Sequence, residues 1–209
     1  MSGASFESLA SSAGLIVLAY LIGAIPTGLV LVRTLAGTDI REHGSGNIGT
    51  VNVLRVAGPA VAVIVLAADI LKGFAPVWFA SALGMGPWTI VLCGLAAIAG
   101  HNWSVFLGFA GGKGVATSFG VLLGLSLKVA LVAAGVWIVV VAFTRYASLG
   151  SLLAVLSVPL SFWRMGAPGA YVAFGVVAAL FAVYRHRGNI ERLAHGTERR
   201  ITDREPPPL

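Results

Sequence analysis

Long apolar stretches follow one another along the chain, separated by glycine, proline and charged residues. A hydrocarbon core of about 30 Å is crossed by roughly 20 apolar residues in a helix. Most of the stretches have about this length, although the fourth and the sixth are shorter. We therefore predict seven helical spans, at about 13–33, 58–83, 87–107, 113–127, 129–147, 149–163 and 168–184.

The spacing of polar residues favours helices over a β-barrel. Alternation of apolar and polar residues with period two, which marks barrel strands, does not recur. Glycine and alanine are frequent, and such small residues let membrane helices pack closely. The predicted fold is an all-α polytopic membrane protein, a bundle of about seven transmembrane helices. We expect a single integral-membrane domain at 1–198 and a disordered cytoplasmic tail at 199–209.

The composition narrows the class of protein. Of the 209 residues, 57% are hydrophobic and 11% are charged, whereas soluble domains carry roughly 25% charged residues. Such a chain cannot cover a water-soluble surface, so the ordinary cytosolic, secreted and nucleic-acid-binding classes are excluded. Cys93 is the only cysteine, which excludes an intramolecular disulfide and a thiolate metal cluster.

The distribution of charged residues predicts the orientation. Glu7 is the only charged residue before Arg33, whereas a cleaved signal peptide begins with a positive segment. We therefore expect an uncleaved first helix with its N-terminus outside. Seven spans then place eleven lysines and arginines on the cytoplasmic side and only Lys128 and Arg164 outside, in agreement with the positive-inside rule.

Three polar segments interrupt the apolar pattern, all on the predicted cytoplasmic face. The first is 44–52, with Arg55 three residues further on. Its glycines let backbone N–H groups converge on an anion. A plain turn between two helices is the competing interpretation. The candidate phosphate-binding residues of this segment are Ser45, Gly46, Asn47, Gly49 and Asn52.

The second segment contains a lysine among glycines just before a helix, an arrangement that resembles a phosphate cradle. Its members are Gly111, Gly112, Lys113 and Gly114, preceded by His101 at the end of the third span. The competing interpretation is a lysine that anchors the helix at the membrane surface and an interfacial histidine.

The third segment is 186–199, where His186, Asn189 and Arg192 recur at helical spacing and so share one face of a helix. A basic helix that touches anionic lipid is the alternative. Inside the second span, Asp69 and Lys72 stand three residues apart. A structural ion pair is favoured there over a role in transport or catalysis, because buried charges require pairing.

In these segments the chain resembles the bacterial acyl-phosphate:glycerol-3-phosphate acyltransferases, the PlsY family. The resemblance extends from about Gly23 to Glu198. Its markers are Gly-Ser-Gly-Asn-x-Gly-x-x-Asn with a following Arg (44–55), Asp-x-x-Lys-Gly (69–73), Gly-His with Gly-Gly-Lys-Gly (100–114), and His-x-x-Asn-Ile-x-Arg-Leu-x-x-Gly-x-Glu (186–198). In one departure, Thr50-Val51 replaces the usual Ala-Thr, which displaces the threonine by one residue.

The resemblance implies transfer of a fatty acyl group from acyl phosphate to the 1-hydroxyl of glycerol 3-phosphate in phospholipid biosynthesis. The products would be 1-acyl-glycerol 3-phosphate, which is lysophosphatidic acid, and inorganic phosphate. It also implies a multi-pass protein of the bacterial inner membrane with its active site facing the cytoplasm. Neither a cofactor nor a metal is expected, and the partners are the two substrates and membrane lipid, with no nucleic acid and no obligate protein partner.

On this resemblance, the donor phosphate is assigned to Ser45, Gly46, Asn47, Lys113 and the glycines of 111–114. Arg55, His186 and Asn189 are candidates for the glycerol phosphate or the reacting centre, and Arg192 is a further phosphate-binding candidate. His101, His186 or a substrate phosphate would accept the proton of the attacking hydroxyl. The candidate catalytic residues are Ser45, Arg55, His101, Lys113, His186 and Asn189.

A transporter or channel for a small anion is the main rival from another class, with Asp69 and Lys72 at mid-depth. Against it, the polar segments gather on one face rather than lining a path, and no inverted repeat is evident. A membrane scaffold without chemistry leaves the three polar segments unexplained.

Overall fold

The computed structural model describes residues 3–203, with side chains from residue 9 onwards. Within this part of the chain there are α-helices and two short 3-10 turns, and no β-strand. The helices are α1 (Gly3–Ala24), α2 (Thr27–Ala36), α3 (Thr50–Ala82), α4 (Pro87–Asn102), α5 (Val115–Leu125), α6 (Leu127–Thr144), α7 (Ala147–Arg164), α8 (Gly169–Arg185) and α9 (Arg187–Ala194).

Every apolar stretch predicted from the sequence contains a helix, but the helices differ in length. Among residues 3–203, four helical segments are long and apolar enough to cross a membrane, and α8 with α9 makes a fifth if this pair, bent by 63°, is counted as one span. The 11 residues of α5 form a shorter apolar helix. The count of seven spans stays a prediction.

The first predicted span, 13–33, is broken near its middle into α1 and α2. Pro26 has no backbone N–H, and it disfavours the helical conformation for Ile25 before it. The Lys72 ammonium donates to the exposed carbonyl of Ile25 at 3.0 Å. The buried Lys72 thus provides a hydrogen bond to a backbone carbonyl at the break between the two helices.

The second predicted span begins earlier than residue 58, because α3 starts at Thr50. Its first turns are offset from the rest by a kink at Gly58, where φ is +81°, followed by Pro59. Proline cannot donate the helical hydrogen bond and clashes with the preceding turn, which explains the kink. Arg55 therefore lies on a short helical segment before the kink.

Close packing between helices holds the bundle together. Helix α1 packs on α4, α3 on α5, and α7 between α6 and α8. A Cβ at Gly120 of α5 would lie 1.9 Å from the Ile70 carbonyl oxygen of α3, so only glycine allows this approach. Phe162 and Phe174 are fully buried in the apolar core between the helices.

Candidate functional site

A cavity of about 1110 Å³ opens where α3, α5 and α7 begin and α8 ends. The three polar segments identified in the sequence meet in its wall. The cavity wall contains the predicted site residues Ser45, Asn47, Gly49, Asn52, Arg55, His101, Lys113, Gly114, His186, Asn189 and Arg192. Gly46 and Gly112 adjoin wall residues in sequence without belonging to the wall, and Gly111 lies one position further along the chain from it.

Asn52 organises the first polar segment. Its Oδ1 accepts from the Ser45 backbone N–H at 2.9 Å. Its Nδ2 donates to the carbonyls of Ile40, His43 and Asn47 at 3.3, 3.0 and 2.9 Å. A carboxamide has one acceptor oxygen and two N–H donors, so these contacts occupy both N–H donors. Asn52 holds the loop in shape, while its predicted contact with phosphate stays a prediction.

Thr50, the position that departs from the family pattern, begins α3 and lines the cavity. Its buried hydroxyl has no hydrogen-bond partner among the described residues. The hydroxyl and the first backbone N–H groups of α3 lie at the positive end of that helix, where an anion is stabilised. The displaced threonine therefore still offers a donor to the cavity.

His101 lies against the glycine loop, residues 111–114, and is 4% exposed. A Cβ at Gly112 would lie 2.0 Å from His101 Nε2, so the ring leaves room only for glycine. The Gly112 N–H donates to the His101 carbonyl at 3.0 Å. His101 Nδ1 is 3.7 Å from the Asp69 carboxylate, too far for a hydrogen bond. The imidazole thus supports the loop by packing against it.

Lys113 stands at one end of a chain of hydrogen bonds that crosses the cavity wall. Its Nζ donates to Asn189 Oδ1 at 2.6 Å, and Asn189 Nδ2 donates to Glu198 Oε1 at 2.6 Å. The hydroxyl of Ser148 donates to the same oxygen at 2.7 Å. Arg192 Nε donates to Glu198 Oε2 at 2.8 Å. The chain connects the glycine loop, α7, α9 and the segment after α9.

Burial and these hydrogen bonds change the pKa values of Glu198 and Lys113 in the cavity wall. Partial burial alone would raise the pKa of Glu198, but its hydrogen bonds to Ser148, Asn189 and Arg192 outweigh it and lower the pKa below the usual value. Burial is the main cause that lowers the pKa of Lys113 to about 8. At neutral pH the wall therefore carries a carboxylate and an ammonium group.

His186, at the junction of α8 and α9, is 2% exposed. Its Nδ1 lies 2.8 Å from the Ala182 carbonyl oxygen. A carbonyl oxygen only accepts, so Nδ1 carries the hydrogen and Nε2 is left as an acceptor. Burial, reinforced by the charge of Lys113, lowers the pKa of His186 to about 4. The ring is consequently neutral near pH 7.

In the segment after α9, residues 197–203, the residues Glu198, Arg199 and Ile201 line the cavity. Arg55 Nη2 donates to the Arg200 carbonyl at 2.8 Å, and the Ile201 N–H donates to the Arg145 carbonyl at 2.8 Å. The tail predicted from residue 199 therefore begins within this hydrogen-bonded segment. Residues 204–209 lie outside the described part of the chain.

The cavity continues from its polar mouth into an apolar arm between helices. Trp137 of α6 stands at its side, and its indole N–H donates to Ser151 of α7 at 3.2 Å. This arm is lined by Leu66, Ile70, Phe119, Leu122, Ala133, Ile138, Ala154, Val155 and Val158. The cavity is thus polar at its mouth and lined by apolar side chains in the arm.

Three wall residues escaped the sequence analysis as site candidates. Ser148 is a small polar residue in an apolar stretch, which is a weak signal. Glu198 belongs to a family motif, but nothing in the sequence shows that it contacts Asn189. Arg185 counts in the sequence only as a basic residue at the end of a span, yet it donates to the carbonyls of the glycine loop.

The ion pair predicted inside the second span is formed. Lys72 Nζ lies 2.7 Å from Asp69 Oδ1, and the two side chains are 5% and 1% exposed. Asp69 also accepts from the Thr27 hydroxyl at the start of α2. The pair therefore joins α3 to the break between α1 and α2, and Asp69 also lines the cavity, so its purely structural role stays a prediction.

Comparison with known proteins decides the family. A family model described as glycerol-3-phosphate acyltransferase matches residues 13–196. The chain belongs to the glycerol-3-phosphate acyltransferase family. A relative from Desulforudis audaxviator with that name is 49% identical over 90% of this chain and 94% of its own. Another, from Synechococcus sp. strain CC9902, is 45% identical over 94% and 98%.

Solved structures give the same result for the fold. The chain is similar to the crystal structure of PlsY (YgiH), an integral membrane glycerol 3-phosphate acyltransferase, in its glycerol 3-phosphate form, with a TM-score of 0.87 and 41% identity. This match covers 91% of this chain and 95% of that one. The lysophosphatidic acid form matches with a TM-score of 0.85. The family resemblance and the all-α multi-pass membrane fold are thereby confirmed, while the orientation stays a prediction.

Proposed function

We propose that this protein transfers a fatty acyl group from acyl phosphate to the 1-hydroxyl of glycerol 3-phosphate. The products are lysophosphatidic acid and inorganic phosphate. The solved relatives named for glycerol 3-phosphate and for lysophosphatidic acid support the acceptor and the product. The reaction would occur at the cytoplasmic face of the bacterial inner membrane, in agreement with the positive-inside bias.

The shape of the cavity is the observation that carries this proposal. Its polar mouth gathers Ser45, Arg55, Lys113 and Asn189, and its apolar arm extends between α5, α6 and α7. An acyl phosphate has the same two parts, a charged head and a long hydrocarbon chain. A substrate with both parts buries its chain in the arm and places its reacting carbonyl at the boundary.

The lining of the cavity extends to Ala133 of α6 and Val158 of α7. A second cavity, of about 480 Å³, lies at the ends of α5 and α7 remote from the polar mouth, and the two share no lining residue. Val129 and Phe162, both fully buried, line the second cavity one helical turn beyond Ala133 and Val158 of the first. This separation favours a site for chemistry over a path for anions.

Charge and geometry suggest how two phosphates share the mouth. We assign the donor phosphate to Ser45, Asn47, Lys113 and the glycine loop, whose N–H groups precede the positive end of α5. Arg55 and Asn189 face the phosphate of glycerol 3-phosphate in this assignment. Arg192 lies at the rim, where its pairing with Glu198 offsets its positive charge.

The chemistry needs no nucleophile from the protein, because acyl phosphate is an activated acid. The 1-hydroxyl attacks the acyl carbonyl carbon, the C–O bond to phosphate breaks, and phosphate leaves with the electron pair. Lys113 and the backbone N–H groups stabilise the charge that develops on the leaving phosphate. Binding both substrates in one cavity supplies the proximity that makes the attack fast.

The proton of the attacking hydroxyl goes to the stronger base within reach. The pKa of His186 is lowered to about 4, whereas the second ionisation of a phosphate monoester has a pKa of about 6. We therefore assign the proton to a substrate phosphate, and to His186 the positioning of the hydroxyl through Nε2. His186→Gln should keep the acidic limb of the pH–rate profile, and disappearance of that limb from a folded variant would make His186 the base.

An assay with purified protein in detergent tests the proposal. Release of phosphate from acyl phosphate should depend on glycerol 3-phosphate and yield lysophosphatidic acid. Lys113→Ala should lose about 2 kcal/mol of transition-state stabilisation, roughly thirtyfold in rate. Lys128→Ala, which removes an exposed lysine at the start of α6, is the matched control and should keep its rate. A folded protein that yields no acylated product contradicts the proposal.

A further inference from the structure

The glycine loop has little means of holding its own shape. Three of the residues in 111–114 are glycines, which lose more conformational freedom on ordering than any other residue. The Gly112 N–H bonds to the His101 carbonyl, but a loop in which only Lys113 carries a side chain needs further restraint. Binding of a substrate phosphate to the loop therefore depends on the group that restrains the loop.

Arg185 supplies two hydrogen bonds to this loop. Its Nε donates to the Gly112 carbonyl at 2.9 Å, and its Nη2 donates to the Gly111 carbonyl at 2.7 Å. The planar fork of a guanidinium group fits two neighbouring acceptors in one orientation, which a lysine ammonium does not reproduce. Two consecutive peptide units are therefore fixed by one side chain.

The guanidinium group is itself held in place. It lies over the ring of Trp103, 6.0 Å from the centroid, within the range of a cation–π contact. The Trp103 ring packs edge-to-face on Phe181. The backbone carbonyl of Trp103 accepts a hydrogen bond from the Tyr20 hydroxyl at 2.7 Å. Arg185 also ends α8, where the negative end of the helix favours a cation.

Fixing the carbonyls also fixes the donors that follow them. The C=O of Gly112 and the N–H of Lys113 belong to one planar trans peptide unit and point in opposite directions. With the carbonyl bound to Arg185, the Lys113 N–H is directed to the other side of the loop. The two hydrogen bonds from Arg185 therefore set the orientation of the Lys113 N–H. They also set the backbone conformation from which the Lys113 side chain extends.

We infer that Arg185 is a positioning residue, which clamps the carbonyls of Gly111 and Gly112 and thereby presents the glycine loop and Lys113 to a substrate phosphate. This inference rests on the proposed function for the identity of the substrates. Either the donor or the acceptor phosphate satisfies the same chemistry, and kinetics with each substrate distinguishes them.

Arg185→Lys tests the clamp because it keeps the positive charge and removes the fork. Loss of one charged hydrogen bond to the loop should raise the KM of the substrate that the loop binds about tenfold. The KM of the other substrate and the melting temperature in detergent should stay close to wild type. Arg33→Lys, the same exchange at an exposed arginine of α2, is the matched control and should leave both KM values unchanged.

Each outcome is decisive. A raised KM for acyl phosphate alone, or for glycerol 3-phosphate alone, supports the clamp and names the phosphate bound by the loop. Unchanged KM values for both substrates in a folded variant overturn it, as does a fall in kcat alone. If Arg185→Lys does not fold, Arg185→Gln, whose shorter carboxamide cannot reproduce both hydrogen bonds to the loop, should raise the KM of one of the two substrates. An unchanged KM there overturns the clamp.

Failure of the proposed function is distinguishable from failure of this inference. If wild-type protein transfers no acyl group, binding of glycerol 3-phosphate and of inorganic phosphate can still be measured by calorimetry. Arg185→Lys should then bind one of these anions about tenfold more weakly than wild type. Equal affinities for both anions overturn the clamp whatever the reaction is.

Discussion

At the scale of single residues, Lys113 carries the clearest electrostatic consequence. Burial is the first cause that lowers its pKa to about 8, and the charge of Glu198 opposes this change. The charges of Arg192, Arg185 and Arg55 lower it further. Only the protonated ammonium attracts a phosphate, so the free enzyme loses this attraction as the pH rises through about 8.

The alkaline limb of kcat/KM should therefore fall near pH 8 in the wild-type enzyme. Bound phosphate favours the charged ammonium, so the limb of kcat should lie at higher pH. Lys113→Arg keeps its charge because a guanidinium group stays protonated throughout this pH range, and it should lose the limb near pH 8 even if its rate is lower. An unchanged limb in Lys113→Arg would assign the titration to another group.

The residue types and positions around the polar mouth of the cavity were predictable, but several of their contacts were not. Glycines and small polar residues at 44–52 and 111–114 indicated an anion site, and the cavity wall brings them together. The sequence could not show that the carboxamide of Asn52 hydrogen-bonds to the backbone of its own loop. Nor could it show Glu198 bonded to Ser148, 50 positions earlier, because such pairs depend on how helices pack.

At the scale of elements, the broken first span was the main surprise. Apolar length alone predicts one helix through 13–33, and Pro26 is the only local sign of a break. The break lies beside the buried pair Asp69–Lys72, whose ammonium bonds to the Ile25 carbonyl. The ion pair was recognised from spacing on one helix, whereas its contact with another helix required the structure.

This pair should behave as a structural one. Lys72→Met alone leaves a buried carboxylate unpaired and should cost about 3–5 kcal/mol of stability. The double variant Asp69→Asn/Lys72→Met removes both charges at similar volume and should recover most of that loss, with acyl transfer retained. Thermal unfolding in detergent, together with the activity, measures both. A double variant that folds as wild type yet is inactive would give the pair a role in the reaction.

At the scale of the whole molecule, the fold class followed from composition and from the absence of strand-like alternation. The number of spans is harder to predict, because α5 is short and α8 and α9 form a bent pair. The predicted orientation depends on the basic residues, most of which lie at the end of the helix bundle where the cavity has its polar mouth. Lys128 and Arg164 stand at the other end, at the start of α6 and the end of α7.

Thiol labelling tests this orientation. His195 near the mouth and Met165 at the opposite end are both exposed, and Cys93 is buried. In intact cells, a membrane-impermeant thiol reagent should label Met165→Cys and leave His195→Cys unlabelled until the membrane is opened. The reverse pattern would place the polar mouth outside the cell.

The most direct test of acyl transfer within one cavity is a single-turnover experiment with enzyme in excess over acyl phosphate. Without glycerol 3-phosphate, no burst of inorganic phosphate and no acylated protein should form, because the protein supplies no nucleophile. Addition of glycerol 3-phosphate should release one phosphate for each lysophosphatidic acid produced. A stoichiometric burst before the acceptor is added, with the acyl group on a protein side chain, would contradict direct transfer.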